Sequence, residues 1–481
     1  MSAVIERYFR VSERGSTIPR ELRGGVVTFM AMSYIIVLNP LILGSVIADD
    51  PSAKTDVLGG ILSLPQVAAV TALVAGVMTI LFGLIANYPF AIATGLGLNT
   101  LVAVSIAPLM TWPEAMGLVV INGFIIVILA LTGFRTAVFN AVPTELKTAI
   151  AVGIGAFIAM IGLVDSGFVR RLPDAANTTV PVGLGIEGSI ASWPTFVFVL
   201  GLIIMGVLVA RGVRAGILIG VVINTIIAIV VEAIVNVGPG GPDNPGGWSL
   251  SVPEIPSQIV GWPDLSLVGQ VSFGAFTRLD IITVSLLIFT LVLANFFDAM
   301  GTLTGLGRQA GLTDSEGKLP NVGKALVVEG VGAAAGGAAS SSSNTIFVES
   351  AAGIAEGART GLANVLTGVL FLLAMFFTPL YAIVPVEAAA PALVVVGALL
   401  FRQITTIGLD DLRLAIPAFL TVVVMPFTYS IANGIGVGFI SYVALAAATG
   451  RAKQVHPLMW VVAVLFVGFF GVGPLQEALA Q

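Results

Sequence analysis

LDIITVSLLIFTLVLANFFDAMGTLTGLGRQAGL, residues 279–312, and SSSSNTIFVESAAGIAEGARTG, residues 340–361, decide the fold. The first is long and apolar enough to cross a bilayer, yet it carries Asp298, with Asn295 one helical turn earlier and Thr302 following on the same face. The second is too short to span as an ordinary helix. It runs from a Gly/Ala/Ser tract through a β-branched stretch, Asn344 to Val348, then places Glu349 ahead of a small-residue helix. Broken, Gly- and Ser-rich backbone at membrane depth is tolerated only where it is buried in protein or lines a polar cavity. An ionisable residue at that depth is a functional-site candidate by default. A carboxylate on a full helix facing one on a broken helix is therefore the expected binding centre of a transporter. Ser343 and Asn344 join Asn295, Asp298, Thr302 and Glu349 as candidate substrate contacts.

The composition agrees. Of 481 residues, 57% are hydrophobic and only 10% charged, and the mean hydropathy is +1.05. A soluble domain carries about 25% charge, so the chain reads as a polytopic membrane protein. It has no cysteine and one histidine, His456 in a polar loop, which excludes disulfides, thiol catalysis and a histidine metal cluster. No metal or cofactor is expected, and no nucleophile–base pair or phosphate loop suggests an enzyme. Net charge is −5 with no basic block, which gives no reason to expect nucleic acid.

Apolar runs fall near 24–44, 66–87, 113–133, 145–164, 194–210, 215–235, 281–306, 361–382 and 388–405, with shorter or interrupted ones near 90–107, 323–340, 345–357, 412–430 and 432–449. At about 17–25 residues per span, this makes about fourteen crossings. A further apolar stretch, 457–474, follows a basic loop. Counting crossings from a cytoplasmic N-terminus puts Arg135, Lys147, Arg211, Arg214, Arg308, Lys318, Lys324, Arg359, Arg402, Arg413, Arg451 and Lys453 inside. The acidic stretch Asp49 to Asp56 and the long Gly/Pro loop 237–278 fall outside, with Lys54, Arg170, Arg171 and Arg278 as exceptions. The positive-inside rule favours this orientation. Trp112, Trp193, Trp248 and Trp262 read as interfacial anchors.

The two halves share a plan. YPFAIATGLGLNTLVAV, residues 88–104, is an interrupted segment flanked by spanning runs, as SNTIFVESAAGIAEG is in the second half. Its strand-like piece should end at Gly95–Gly97, with a helix from about Leu98 that carries Asn99 in its first turn. In the second half the strand-like piece should end at Glu349 and the helix begin near Ser350. An odd number of crossings per half inserts the halves in opposite directions, the inverted-repeat plan. This divides the chain into 1–236, an outer loop 237–280, 281–450 and a tail 451–481. Glu329, in ALVVEGVGAAAGG, either supports the site from a neighbouring helix or packs structurally. Glu232 and Asp280 lie near helix ends, where capping is the better reading.

Five stretches carry a family resemblance: ELRGGVVTFMAMSYIIVLNPLIL at 21–43, ATGLGLNT at 93–100, FFDAMGTLTG at 296–305, FVESAAGIAEGARTGL at 347–362 and IPAFLTVVVMPFTYSIANGIGVGFISY at 416–442. On these the chain resembles the nucleobase–cation symporters of the xanthine/uracil permease superfamily, in particular the AzgA-like adenine/guanine/hypoxanthine branch. The resemblance implies an all-α polytopic fold of two inverted seven-helix repeats, with short strands in the broken third and tenth segments. Segments one to four and eight to eleven would form a core, and five to seven and twelve to fourteen a gate. Asn99, Asp298 and Glu349 match the family's polar positions in the third, eighth and tenth segments. The implied activity is proton-coupled uptake of a purine base across the cell membrane, with Glu349 and Asp298 as substrate and proton sites, and a homodimer left open. Asn295 stands where many members have aspartate, and FDA replaces FDT. Uracil, xanthine or urate is the alternative substrate, and an anion exchanger or channel the alternative class. An anion path should place basic residues at the broken helices, where this chain has carboxylates.

Overall fold

The computed structural model describes residues 2–45, 54–134, 141–171, 182–186, 188–241, 244–249, 251–255, 258–313, 319–320, 322–381, 383–408 and 410–480. Of the loop charges assigned from sequence, Asp49, Asp50, Arg135 and Lys318 lie outside these residues. A short helix α1 (Ser2–Phe9) precedes the first spanning segment, which is α2 (Ile18–Met32) and α3 (Ile35–Leu43). Then come α4 (Leu64–Ile85), the broken segment β1 (Ile92–Thr94) with α5 (Leu96–Thr100), α6 (Trp112–Leu131), α7 (Thr144–Asp165), the paired strands β2 (Val169–Arg171) and β3 (Val182–Leu184), α8 (Trp193–Ala210) and α9 (Gly216–Val235). The second half holds α10 (Ile281–Gln309), α11 (Val322–Ala338), the broken segment β4 (Asn344–Ile346) with α12 (Ser350–Ala355), α13 (Gly361–Ala374), α14 (Val386–Phe401), α15 (Leu412–Phe427) and α16 (Ile431–Ala448). A last helix, α17 (Pro457–Ala480), sets Phe466 against Phe439 of α16 and Phe289 of α10. Among the described residues, nine helices are long and apolar enough to cross a membrane, and four shorter ones are apolar. The chain is an all-α polytopic membrane protein.

The broken segments differ from the expectation in detail. α5 begins at Leu96, two residues earlier than read, and β4 stops at Ile346 with Glu349 as the N-cap of α12. β1 and β4 pair antiparallel, Ile92 opposite Ile346 and Thr94 opposite Asn344. A two-stranded ribbon leaves unpaired backbone groups on its outer edges, which a membrane interior cannot solvate. Side chains supply the missing partners. Thr79 Oγ1 accepts from Ile92 N at 3.0 Å and donates to Ile92 O at 2.9 Å. Ala91 N donates to Ser350 Oγ at 3.0 Å, and Asn364 Nδ2 donates to Phe90 O at 2.6 Å. The first segment, read as one run, is also interrupted: α2 and α3 are joined by a turn at Ser33 and Tyr34.

Small residues set how the helices meet. A Cβ on Gly83 of α4 would strike Gly361 of α13, and one on Gly76 would meet Gly368 O at 2.9 Å. A Cβ on Gly123 of α6 would meet the backbone of Ala334 on α11, and one on Gly155 of α7 would meet Gly397 O of α14 at 2.7 Å. The packing partners exchange in a regular way. The second segment packs on the eleventh (α4 on α13) and the fourth on the ninth (α6 on α11). Adding or subtracting seven turns one pair into the other. The same operation relates α15–α16 to α8–α9, and α7–α15 to α14–α8, while α7–α14 maps onto itself.

Two tryptophans are not interfacial anchors. Trp248 is 1% exposed and donates to Glu232 Oε2 at 2.7 Å, and Trp112 is 2% exposed and donates to Gly60 O at 3.1 Å. Both have their indole N–H satisfied inside the protein. Trp193 and Trp262 are exposed. Glu232 also accepts from Val237 N, and Asp280 from Ile282 N and Thr283 N, so both carboxylates hold backbone at helix ends.

Gly361→Val should therefore destabilise the fold, because its side chain enters the backbone of Gly83. Overpacking of this kind costs about 1–3 kcal/mol. The melting temperature in detergent should fall by several degrees, whereas Gly206→Ala on α8, where a Cβ meets nothing within 4 Å, should leave it unchanged.

Candidate functional site

A cavity opens where the broken segments meet α10. One wall is Tyr34 of the first segment, Gly95–Leu98 of the third, Ala294, Asp298 and Thr302 of α10, and Thr345–Glu349 of the tenth. The facing wall is aliphatic: Ile154 and Ile158 of α7, Val396 and Leu400 of α14, and Ile431 of α16. Gly95 lets the end of β1 lie close against β4, since a Cβ there would lie 2.9 Å from the Thr345 methyl; Asp298 Oδ2 would be at an ordinary contact distance of 3.6 Å. The cavity is thus polar and acidic on one side and apolar on the other, a combination suited to a flat solute with polar edges and apolar faces.

The site residues named from sequence fall into two sets. Asp298, Thr302 and Glu349 are on the cavity wall. Asn99, Asn295, Ser343, Asn344 and Glu329 are buried away from it. For Asn295 the reason is helical phase. The wall uses residues 294, 298 and 302, spaced by four, so Asn295 sits about 100° round the helix from Ala294. Its amide is fully buried.

Asn99 belongs instead to a chain of buried amides and hydroxyls that ties the broken segments to their neighbours. Its Nδ2 donates to Asn39 Oδ1 at 2.6 Å and to Thr94 Oγ1. Asn39 Nδ2 donates to Thr71 Oγ1 at 2.7 Å and to Ser341 O at 3.1 Å. Asn344 Nδ2 donates to Gly332 O at 3.2 Å, and Asn122 Nδ2 lies 3.4 Å from Ser343 Oγ. Six segments, the first to fourth, the ninth and the tenth, are stitched together this way, and each amide fills a donor or acceptor role that lipid cannot.

Two polar cavity residues, Thr345 and Tyr34, were missed from sequence. Tyr34 donates its hydroxyl to Glu349 Oε1. The available signal was a lone phenol in the otherwise aliphatic stretch around SYIIVLNP, residues 33–40. Among the described residues, no group of three or more His, Cys, Asp and Glu side chains is placed to hold a metal ion.

Comparison with known proteins follows this geometry. The profile of the Xan_ur_permease family, described as a permease family, matches residues 20–437. The guanine/hypoxanthine permease PbuG of Bacillus subtilis (strain 168) is 38% identical over 474 residues, covering 97% of this chain and 99% of that protein. The adenine permease AdeQ of Escherichia coli (strain K12) is 36% identical over 468 residues, covering 97% and 96%. Among solved structures, the transmembrane domain of the cyanobacterial bicarbonate transporter BicA superposes with a TM-score of 0.58 at 15% identity, covering 89% of this chain and 97% of that one. At that identity the likeness is one of fold.

Asn99→Ala removes the donor to Asn39 Oδ1 inside a fully buried network. An orphaned buried acceptor costs about 1–3 kcal/mol, so the ligand-free melting temperature should fall by several degrees. An unchanged melting temperature would mean that Asn99 does not hold the third segment in place.

Proposed function

The chain belongs to the Xan_ur_permease family, and from that premise we propose that it is a proton-coupled importer of purine nucleobases, with guanine, hypoxanthine and adenine as the candidate substrates. The observation that carries the reading is the pair of carboxylates, Asp298 and Glu349, brought from a full helix and a broken segment to one cavity opposite an aliphatic wall. Ring and amino N–H groups of a base would donate to the carboxylates, and its faces would rest on the aliphatic side chains. Relatives named as guanine/hypoxanthine and adenine permeases support this substrate class. The cavity wall has no basic side chain among its described residues, which argues against an anion as cargo.

The exchange of packing partners by seven segments supports two inverted repeats. Segments one to four and eight to eleven would be the core, carrying the polar wall, and the rest the gate, carrying the aliphatic wall. Ion pairs join the two groups at both ends. Lys54 Nζ meets Asp165 Oδ1 at 3.1 Å on the proposed outer side. Glu356, 7% exposed, pairs with Arg214 and with Arg23 at 2.7 Å on the proposed cytoplasmic side. Alternating access would require the Lys54–Asp165 and Glu356–Arg214 contacts to part in turn as the core moves against the gate.

Two measurements test the reading in cells of the inner or plasma membrane type that lack their own purine uptake. Glu349→Gln keeps size and hydrogen-bonding capacity but removes the charge. A charged hydrogen bond is worth about 1.5–3 kcal/mol, so hypoxanthine uptake should lose about ten- to a hundredfold in affinity while the protein still reaches the membrane. Wild-type uptake by this variant would remove Glu349 from the site. Uptake should also collapse with a protonophore, and full activity on a sodium gradient alone would rule out proton coupling.

A further inference from the structure

The first segment enters the cavity at one residue, and that residue touches the carboxylate. Tyr34 lies in the turn between α2 and α3, is fully buried in the protein, and donates its hydroxyl to Glu349 Oε1 across more than 300 positions of sequence. We propose that Tyr34 is a positioning residue for the substrate: it holds the Glu349 carboxylate in the orientation that receives the N–H edge of a planar base. The proposal rests on Glu349 being a substrate contact.

The chemistry is specific. A phenol has one proton, and here it is given to Glu349, so the remaining capacity of the Tyr34 oxygen is as an acceptor. An ionised carboxylate also only accepts. This corner of the cavity thus offers acceptors side by side, which suits a ligand edge of neighbouring N–H groups rather than a carbonyl. The Tyr34 ring is also held rigidly, whereas a glutamate carries several rotatable bonds that must be ordered when it grips a ligand. A carboxylate already held spares binding that cost, and preorganisation of this kind appears as affinity.

The test is binding of hypoxanthine and guanine to purified protein by calorimetry, with uptake kinetics and ligand-free melting in parallel. Tyr34→Phe keeps the ring and its packing and removes only the hydroxyl. Its Kd at fixed pH should rise about tenfold, the KM for uptake should rise with it, and the ligand-free melting temperature should stay close to wild type. Glu349→Asp draws the carboxylate back from the hydroxyl, so it should also weaken binding. Adding Tyr34→Phe to it should then cost little more, because the contact is already broken. Fully additive losses would overturn the proposal, as would an unchanged Kd in Tyr34→Phe. So would a Tyr34→Phe protein that fails to fold, since the hydroxyl would then be serving stability. Glu349→Gln separates the two levels. If it leaves Kd unchanged, the site reading falls and this inference with it; if it weakens binding while Tyr34→Phe does not, only the role of Tyr34 is lost.

Discussion

Two strands of three residues, buried within a membrane protein, must find their hydrogen bonds inside the protein. Pairing β1 with β4 satisfies the inner edges and fixes the halves of the chain to one another. Thr79 from α4 meets the outer edge of β1 at Ile92, and Ser350 from α12 and Asn364 from α13 take up the backbone just before it. Beyond the strand ends, Gly95 N donates to Ser343 O at 3.0 Å and Phe347 N to Ala91 O at 2.9 Å. Much else answers to this constraint. Small residues on α4, α6, α11 and α13 bring those helices close around the ribbon, and the amide chain through Asn39 and Asn99 braces its end.

The site is a product of the same constraint. Because the ribbon ends at mid-chain in both halves, the residues that follow it are free to face a cavity. Glu349 caps α12 there, and Gly95 leaves room for Thr345 beside it. The acidic wall thus joins broken backbone, which brings Glu349, to the full helix α10, which brings Asp298 and Thr302. The opposing wall comes from α7, α14 and α16 and presents branched aliphatic side chains.

Much of this was legible in the sequence. Hydropathy and length locate the spans to within a few residues, since both are set by the bilayer. Asp298 and Glu349 stand out because charge at that depth is rare. What escaped has a physical reason. Asn295 and Asp298 are three residues apart, and spacing alone does not say which flank of Asp298 meets the cavity; the structure selects Ala294, four before. Asn99 looks like a ligand contact because it follows a Gly-rich break, yet its amide is spent on Asn39, whose proximity is a tertiary fact. Tyr34 is a single phenol in an apolar run, and its partner lies in the other half of the chain. Trp112 falls at a helix start and Trp248 in a long loop, as anchors do, but the folded protein covers both.

The glycine contacts bear on where this protein can deform. Gly83 against Gly361, Gly123 against Ala334 and Gly155 against Gly397 are backbone-to-backbone seams. A seam of that kind resists shear, because displacing either helix by one residue drives a Cβ into a main-chain atom. A Cβ on Gly97 would instead meet only side-chain methyls, those of Ile154 and Ile431, at 3.3 Å. Methyl groups can rotate and glide past one another where carbonyls cannot. Which helix contacts lock and which can slide is thus written in the placement of the smallest residue.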